Sequence, residues 1–228
     1  MYFPWYGHIE MIKYCDTYVF FDDAQFKKNY YHRVQLNNKG KQLFITIPLQ
    51  KHHKFKNLND IYPSRNTDWR KEHISKFRNL YMKAPFFEMA LKTLEDTLSF
   101  EDYPSLPIIS ENSTKSLVNF FGIKDIKFLR SSDLKCTGKS TEKLINICKD
   151  IGADIYVTAH GAKNYLDHKR FEKEGINVEY MEYGLKSYKQ FNNETFLPFV
   201  SSLDCIANNG IDSINYLTPK TTPWYEII

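Results

Sequence analysis

Cysteine is scarce in this 228-residue sequence: the four residues lie far apart, and no CxxC pair occurs. This spacing argues against a zinc ribbon or a disulfide scaffold and favours a protein kept in the reducing cytoplasm. The sequence also lacks an apolar run of membrane length and a signal peptide, so we expect a soluble cytoplasmic protein without a membrane span. It contains neither an internal repeat nor a low-complexity tract, so no repeat architecture is expected.

The sequence also lacks a large excess of charge of one sign, because its 31 basic and 27 acidic residues leave a net charge of +4. A surplus this small and scattered argues against nucleic acid as a partner, whereas an anionic small molecule fits equally well. Aromatic residues are abundant, with sixteen tyrosines and seventeen phenylalanines. Such abundance is typical of stacking surfaces for sugars or bases, and also of amphipathic core edges.

Hydrophobic periodicity predicts an α/β fold. Residues 67–122 carry apolar side chains at helical spacing, interrupted at Pro85 and ended at Gly122, and predict a helical segment without chemistry of its own. Residues 141–183 predict helix, strand, polar loop, helix and strand, which is the order of a βαβ unit. We therefore expect one domain over residues 1–228, with a mixed or mostly parallel, Rossmann-like central sheet covered by a helical insertion.

The stretch Asp16–Pro48 is the first candidate half-site. Its pattern predicts a buried strand over Thr17–Phe21, a polar loop, a second strand, a turn, and a third strand over Leu43–Ile47. The first strand ends on two acids, and the loop after it is basic and aromatic, which suits a polar, charged small molecule better than a core. The predicted catalytic residues are Asp22, Asp23 and His32, and the predicted substrate-binding residues here are Gln25, Lys27, Lys28 and Arg33.

A second candidate half-site follows the predicted strand Asp154–Thr158. Ligands of open α/β sheets bind at the carboxyl ends of strands, and a polar segment lies at this end. The alternative interpretation is a plain turn whose lysine is merely exposed. We expect the two half-sites to close around one cavity. The predicted substrate-binding residues of the second are His160, Lys163, Asn164, Tyr165 and Asp167.

Residues 2–8, YFPWYGH, contain Pro4 and Gly7 and predict a loop with exposed aromatics that ends at His8. Helical spacing follows, so His8 is predicted at a helix N-terminus, where anions bind. A Gly-His pair that opens a helix before a strand resembles the phosphate-binding start of nucleotidylyltransferases. His8 is therefore a candidate contact for nucleotide phosphate, and a capping or packing role is the alternative.

Three further features do not predict a site. The string GKST at 138–141 resembles the end of a P-loop, but Asp133 stands where that motif needs its first glycine. The pair His52-His53 has no third ligand at a diagnostic spacing, so no metal site is predicted. The four cysteines fall in predicted helices or buried flanks and do not predict a nucleophile.

Several sequence blocks spread over nearly the whole chain form a recognisable set. They are PWYG at 4–7, the run at 16–28, Arg33, FITIP at 44–48, LINICKDIGADIYVTAHGAKNYLD at 144–167, GINVEY at 175–180, Gln190 and SSLDCIANNG at 201–210. Together these blocks resemble the WbqC-like family, and their most specific element is DDxQFxK. Through the resemblance Gln190 joins the predicted substrate-binding residues.

The sequence departs from the family pattern in two places. Ala159-His160 stand where members tend to have Gly-Pro, and the strand that usually precedes PWYG is expected to be shortened or missing.

The resemblance implies a cytoplasmic protein of glycan or lipopolysaccharide biosynthesis. We expect a transferase acting on a nucleotide-linked amino sugar, with an acyl or aminoacyl group as donor and ATP as one option. Asp22 or Asp23 would deprotonate the attacking ammonium, with His32 as a spare acid–base group. Arg33 and Lys28 would hold phosphate or a carbonyl oxygen with developing charge.

Two other functions stay open at this point. One is ATP-dependent activation of a carboxylate, with ATP near His8. The other is a non-catalytic glycan-binding or scaffold protein whose aromatics form a shallow groove. A Mg²⁺ ion shared by Asp22 and Asp23 is disfavoured, because adjacent residues of a strand point to opposite faces. The sequence does not indicate the oligomeric state.

Overall fold

The structure is a computed structural model that describes residues 1–26, 30–51, 56–184 and 186–227. Within these ranges no helix combines the length and the apolar composition that crossing a membrane requires. The α-helices are α1 (Tyr6–Tyr14), α2 (Trp69–Tyr81), α3 (Phe87–Leu98), α4 (Leu106–Phe120), α5 (Ser131–Leu134), α6 (Thr141–Ile151), α7 (His168–Lys173) and α8 (Ser202–Asn209).

The strands form small sheets. The pair β1–β4 is parallel, the pair β2–β3 is antiparallel, and β6 pairs in parallel with β5 and antiparallel with β7. The predicted mixed α/β class is confirmed, whereas a Rossmann-like central sheet is not. The strands are β1 (Thr17–Phe20), β2 (Arg33–Asn38), β3 (Lys41–Thr46), β4 (Lys127–Arg130), β5 (Ile155–Thr158), β6 (Asn177–Met181) and β7 (Thr221–Pro223).

The contacts divide the chain into two compact units, and the predicted single domain over residues 1–228 stays a prediction. Short 3-10 helices complete both units, at Tyr30–His32, Leu58–Asp60, His160–Asn164, Gly210–Tyr216 and Trp224–Glu226. Unit 1 comprises Met1–Ile9, Asp22–Lys124 and Leu185–Leu217, and unit 2 comprises Glu10–Phe21, Asp125–Gly184 and Thr218–Ile228.

Unit 1 contains the predicted helical segment as three helices. The side chain of Asp68 caps α2 by accepting a hydrogen bond from Lys71 N, as its place before the apolar repeat predicts. Trp69, Phe77 and Tyr81 recur at four- and eight-residue spacings and are buried on one face of α2. Helix α3 packs against α2, α4 and α8 and forms the centre of this helical layer.

The β2–β3 hairpin completes unit 1. Its two-residue turn has positive φ at both Lys39 (51°) and Gly40 (80°), the geometry that matches the twist of paired strands. Val34, Leu36 and Ile45 alternate onto one buried face and line a small cavity together with residues of α2, α3 and α8. The hairpin is therefore fixed to the helices through its apolar face.

Unit 2 contains the predicted βαβ arrangement, with α7 between the parallel strands β5 and β6. Its core is formed by Ile145 and Cys148 of α6, Phe171 of α7, and Val178 and Tyr180 of β6. Helix α6 ends at Gly152, whose φ of 70° is the left-handed conformation that glycine adopts without strain. This packing aligns the carboxyl ends of β5 and β6.

One sequence interpretation is wrong, and the first candidate half-site is divided between the two units. In the stretch Asp16–Pro48, β1 pairs with β4 and belongs to unit 2, whereas residues 22–48 belong to unit 1. Three of the four N-terminal aromatics predicted to be exposed are buried: Tyr2, Phe3 and Tyr6 are each 1% exposed. Their neighbours Pro4 and Gly7 suggest a loop, but α1 already begins at Tyr6.

Candidate functional site

The two acids that follow β1 differ in accessibility. Asp22 is buried, and the amide of Asn59, turned to the orientation that satisfies its hydrogen bonds, donates to Asp22 Oδ2 at 3.1 Å and to Asp22 O at 3.2 Å. Asp23 is partly exposed. Of the two predicted catalytic acids, Asp23 is therefore the one whose side chain retains access to a small molecule.

Backbone hydrogen bonds fix the segment that carries these acids. Ala24 O accepts from Leu58 N, and Phe26 N donates to Lys56 O, each at 2.9 Å. Gln25 forms an isolated bridge with Asn57 and is exposed. The segment is thus held like an edge strand, and the predicted substrate-binding residue Gln25 remains accessible.

His32 and Arg33 lie at the start of the hairpin. The carbonyl of His32 accepts from Ile47 N at 2.7 Å, and its ring meets Phe26 edge-on at 5.7 Å between ring centroids. The guanidinium carbon of Arg33 lies 4.3 Å from the ring centroid of Phe44, a diagonal cross-strand neighbour. Because Phe44 is 39% exposed, this cation–aromatic pair lies at the surface. The predicted residues Lys27 and Lys28, and the pair His52-His53, lie outside the described residues.

The second half-site lies in the 3-10 helix that follows β5. The ring of exposed His160 lies 5.9 Å from the ring of Tyr180, and Lys163 Nζ lies 5.7 Å from the same ring centroid. Thr158, at the end of β5, is opposite Tyr180 in the parallel register. The structure thus brings His160 and Lys163 together at the carboxyl ends of two parallel strands, where α/β proteins bind ligands.

Tyr180 and His168 belong to this half-site and were missed by sequence reasoning. The hydroxyl of Tyr180 lies 2.7 Å from His168 Nε2, and the His168 ring stacks on Trp224 at 4.9 Å. Burial lowers the pKa of His168 and raises the pKa of Tyr180, so both are neutral near pH 7. The hydrogen bond to His168 fixes the Tyr180 ring, which His160 and Lys163 both approach. The parallel register of β5 and β6 is the signal that could have identified Tyr180.

The remaining residues of this half-site divide into exposed side chains and a helix cap. Asn164 is exposed, and Tyr165 is 59% exposed, so both are available to a ligand. Asp167 caps α7: its Oδ1 accepts from Arg170 N at 3.1 Å. Its backbone N–H donates to Thr141 Oγ1 at 3.1 Å, which links α7 to the start of α6. The carboxylate therefore supports the fold in addition to any contact with substrate.

His8 lies in the first turn of α1, two residues after the helix begins. It is partly accessible as a residue, but burial of its ring lowers its pKa to about 3. The imidazole is therefore neutral near pH 7 and adds no positive charge for a nucleotide phosphate.

Gln190 is 2% exposed and is bonded entirely to protein atoms. Its Nε2 donates to Leu197 O at 3.1 Å and to Asp204 Oδ1 at 2.9 Å. Its Oε1 accepts from Leu197 N at 2.8 Å and from Asn193 Nδ2 at 3.2 Å. A side-chain amide has two donors and two acceptor positions, so a direct contact with substrate would require one of these bonds to break.

Asp204 is the centre of this buried polar cluster in unit 1. It also accepts hydrogen bonds from the hydroxyls of Tyr81 (2.8 Å) and Tyr188 (2.7 Å). Burial raises the pKa of Asp204, and the hydrogen bonds from Tyr188, Tyr81 and Gln190 oppose that effect. The cluster joins α2, α8 and the segment around Gln190, which indicates a structural role.

Metal-ligating and thiol side chains occur in the described ranges. No three side chains of histidine, cysteine, aspartate or glutamate converge there as a metal site would require. Burial raises the pKa of Cys148 to about 11 and that of Cys205 to about 12, so both remain protonated near pH 7.

Comparisons with known proteins give a family but no solved relative. The model of the WbqC-like protein family matches residues 1–216. The chain is 28% identical over 218 residues to the uncharacterized protein Rv1507c of Mycobacterium tuberculosis, covering 95% of this chain and 94% of that protein. No solved structure matches the chain significantly.

Proposed function

We propose that this chain, which belongs to the WbqC-like protein family, transfers an acyl or aminoacyl group to the amino group of a nucleotide-linked sugar. The reaction would serve surface-polysaccharide biosynthesis in the cytoplasm, as the sequence resemblance implies. The observation that supports a small anionic ligand best is the convergence of His160 and Lys163 on the ring of Tyr180.

Lys163 and His160 would hold the diphosphate of the nucleotide-linked sugar. The ammonium of Lys163 supplies charge, and the imidazole of His160 can donate a hydrogen bond to a phosphate oxygen. The exposed ring of Tyr165 lies next to them in sequence and could cover the ligand. Asp167 would contribute only through the carboxylate oxygen that does not cap α7.

Asp23 would act as the general base. It would take a proton from the ammonium group of the sugar, and the free amine would then attack the carbonyl carbon of the donor. A C–N bond forms, and the bond from the carbonyl carbon to the leaving group breaks, so that a thiolate, phosphate or adenylate departs with the electron pair. Asp22, which is buried and bonded to Asn59, would position the segment.

Arg33 supplies the positive charge for the carbonyl oxygen in this proposal. Its stacking on Phe44 orients the plane of the guanidinium. His32 is the alternative acid–base group beside it. Gln25, which is exposed, would contact the substrate. Lys27 and Lys28 lie outside the described residues and remain proposed substrate contacts on sequence grounds alone.

The test is a product analysis with a defined acceptor and defined donors. Purified protein is incubated with UDP-glucosamine and, in separate reactions, with acyl-CoA species or with an amino acid and ATP. The expected result is a nucleotide-linked sugar whose mass increases by one acyl or aminoacyl group. Release of pyrophosphate without that product would instead indicate carboxylate activation. Binding of the nucleotide sugar without any product would indicate a glycan-binding or scaffold protein.

A further inference from the structure

The segment PWYG at 4–7 has no role in the reaction proposed above, yet it places an aromatic ring at the surface of unit 1. Trp5 is partly exposed, and its ring lies 5.1 Å from the ring of Phe199 at an interplanar angle of 64°. Phe199 is 47% exposed. Two large aromatic side chains thus contact each other at the surface. Packing in the core does not account for this position, because both side chains remain accessible to solvent.

Phe199 has an unusual backbone conformation for its type. Its φ is +63°, in the left-handed region that bulky residues avoid because Cβ approaches the carbonyl oxygen. Strain of this kind persists where the surrounding structure enforces it, and it is concentrated at ligand sites. Here the strained conformation holds an aromatic ring outward beside Trp5.

Hydrogen bonds of the residues that follow Phe199 enforce that conformation. Val200 is 1% exposed, and Ser201 N donates to Gln35 O at 2.8 Å. Ser202 donates to Pro4 O from both its backbone N (2.9 Å) and its hydroxyl (2.8 Å). The segment that follows Phe199 is therefore tied to the segment that precedes Trp5.

The position of Trp5 is also built into the chain. A Cβ added to Gly7 would lie 2.2 Å from the indole ring, so the indole occupies the space that any other residue at position 7 would fill. Glycine is thus required for this placement of the ring. Trp5 and Ser201 form an antiparallel bridge, which fixes the backbone on the other side.

We propose that Trp5 and Phe199 form an aromatic subsite for one ring of the nucleotide-linked sugar. This inference rests on the proposed function for the identity of the ligand. Aromatic side chains stack on the planar faces of nucleobases, and they also cover the apolar C–H faces of sugar rings. The ring is therefore either the base or the amino sugar, because each presents a face that an aromatic side chain can cover.

The test uses a variant that removes the ring without adding strain. Asparagine tolerates the left-handed conformation, so Phe199→Asn should fold at least as stably as the wild type by thermal unfolding. Titration calorimetry with UDP-glucosamine, UDP alone and glucosamine alone then measures binding. We expect the Kd of UDP-glucosamine to rise about tenfold or more in Phe199→Asn. Tyr62→Ala, which removes a 40% exposed tyrosine elsewhere in unit 1, should leave it unchanged.

The separate ligands identify the stacked ring. A matching loss for UDP assigns the base to the subsite, and a matching loss for glucosamine assigns the sugar. Unchanged binding of all three probes by Phe199→Asn overturns the subsite, as does failure of all three to bind the wild type. If Phe199→Asn binds normally while the wild type forms the acylated product, the subsite alone is wrong. If binding depends on Phe199 but no product forms, the proposed reaction alone is wrong.

Discussion

The side-chain amide of Gln190 donates a 2.9 Å hydrogen bond to the buried carboxylate of Asp204. The same amide closes the segment 190–197 on itself through two bonds to Leu197. The bond to Asp204 is buried, and the two bonds to Leu197 are partly buried. A residue that the family resemblance assigns to substrate thus organises the polar centre of unit 1.

Gln190→Ala should lower the free energy of unfolding by about 2–3 kcal/mol, because it leaves the Leu197 backbone groups and part of Asp204 without partners. The neighbouring Lys189 is exposed, so Lys189→Ala should stay within about 0.5 kcal/mol of the wild type. Urea unfolding of the three proteins provides the measurement. Equal stability of Gln190→Ala and the wild type would show that the amide does not hold the segment.

His73 should make unit 1 sensitive to acid. Its Nδ1 lies 3.0 Å from the Tyr2 hydroxyl and its Nε2 lies 3.3 Å from the Thr46 carbonyl, so Nε2 carries the proton and Nδ1 accepts. Burial lowers its pKa from 6.5 to about 4. The unfolded chain therefore binds more protons between these values, and stability falls as the pH decreases through that window.

The loss attributable to His73 should approach about 3 kcal/mol at the acid end of the window. His73→Gln should be less stable than the wild type at pH 7, but its free energy of unfolding should decrease less between pH 7 and pH 4.5. Urea unfolding at several pH values tests this difference. Parallel pH profiles for the two proteins would rule out His73 as the sensitive group.

Two substitutions of Asp167 distinguish its role as a helix cap from a contact with the ligand. Asp167→Ala should destabilise the protein by about 1 kcal/mol, because Arg170 N loses its acceptor. Asp167→Asn keeps an acceptor oxygen and should remain near wild-type stability. If Asp167 also binds substrate through its charge, the asparagine variant should bind UDP-glucosamine more weakly. Unaltered binding by this variant would restrict Asp167 to the cap.

Gly7→Ala tests the placement of Trp5. An alanine inside a helix usually stabilises by about 0.5–1 kcal/mol relative to glycine. Here its methyl group overlaps the indole, so we expect displacement of Trp5, a change in tryptophan fluorescence and a net loss of about 1–2 kcal/mol. Gly161 has no atom within 4 Å of its added Cβ, so Gly161→Ala should be close to neutral. A stabilised Gly7→Ala with unchanged fluorescence would contradict this packing.

Local patterns predicted most helices and strands because their signals are local. Asp68 before the repeat of Trp69, Phe77 and Tyr81 predicts both the start and the buried face of α2. Ser201 likewise caps α8 by accepting a hydrogen bond from Leu203 N, which is the role that serine favours before a helix. Spacing and capping depend on neighbours within one or two turns, so the sequence alone contains them.

Pairing and burial could not be predicted in the same way. The partner of β1 is β4, in which Lys127 lies opposite Thr17, and no local pattern specifies a register over so many residues. Tyr2 is buried, and its hydroxyl contacts His73, which lies 71 positions later in the chain. In the sequence alone, His168 is only the start of a helix and Tyr180 only the interior of a strand. Their place in the candidate site becomes visible when the register of β5 and β6 is known.

The most direct test compares rates of acyl transfer to a nucleotide-linked amino sugar for the wild type, Asp23→Asn and Asp60→Asn. Asp60 is an exposed acid of the same unit and serves as the matched control. If Asp23 is the general base, Asp23→Asn should lose about 100-fold or more in rate, and Asp60→Asn should be unaffected. A full rate for Asp23→Asn, or no transfer by the wild type with any donor, would contradict the proposed reaction.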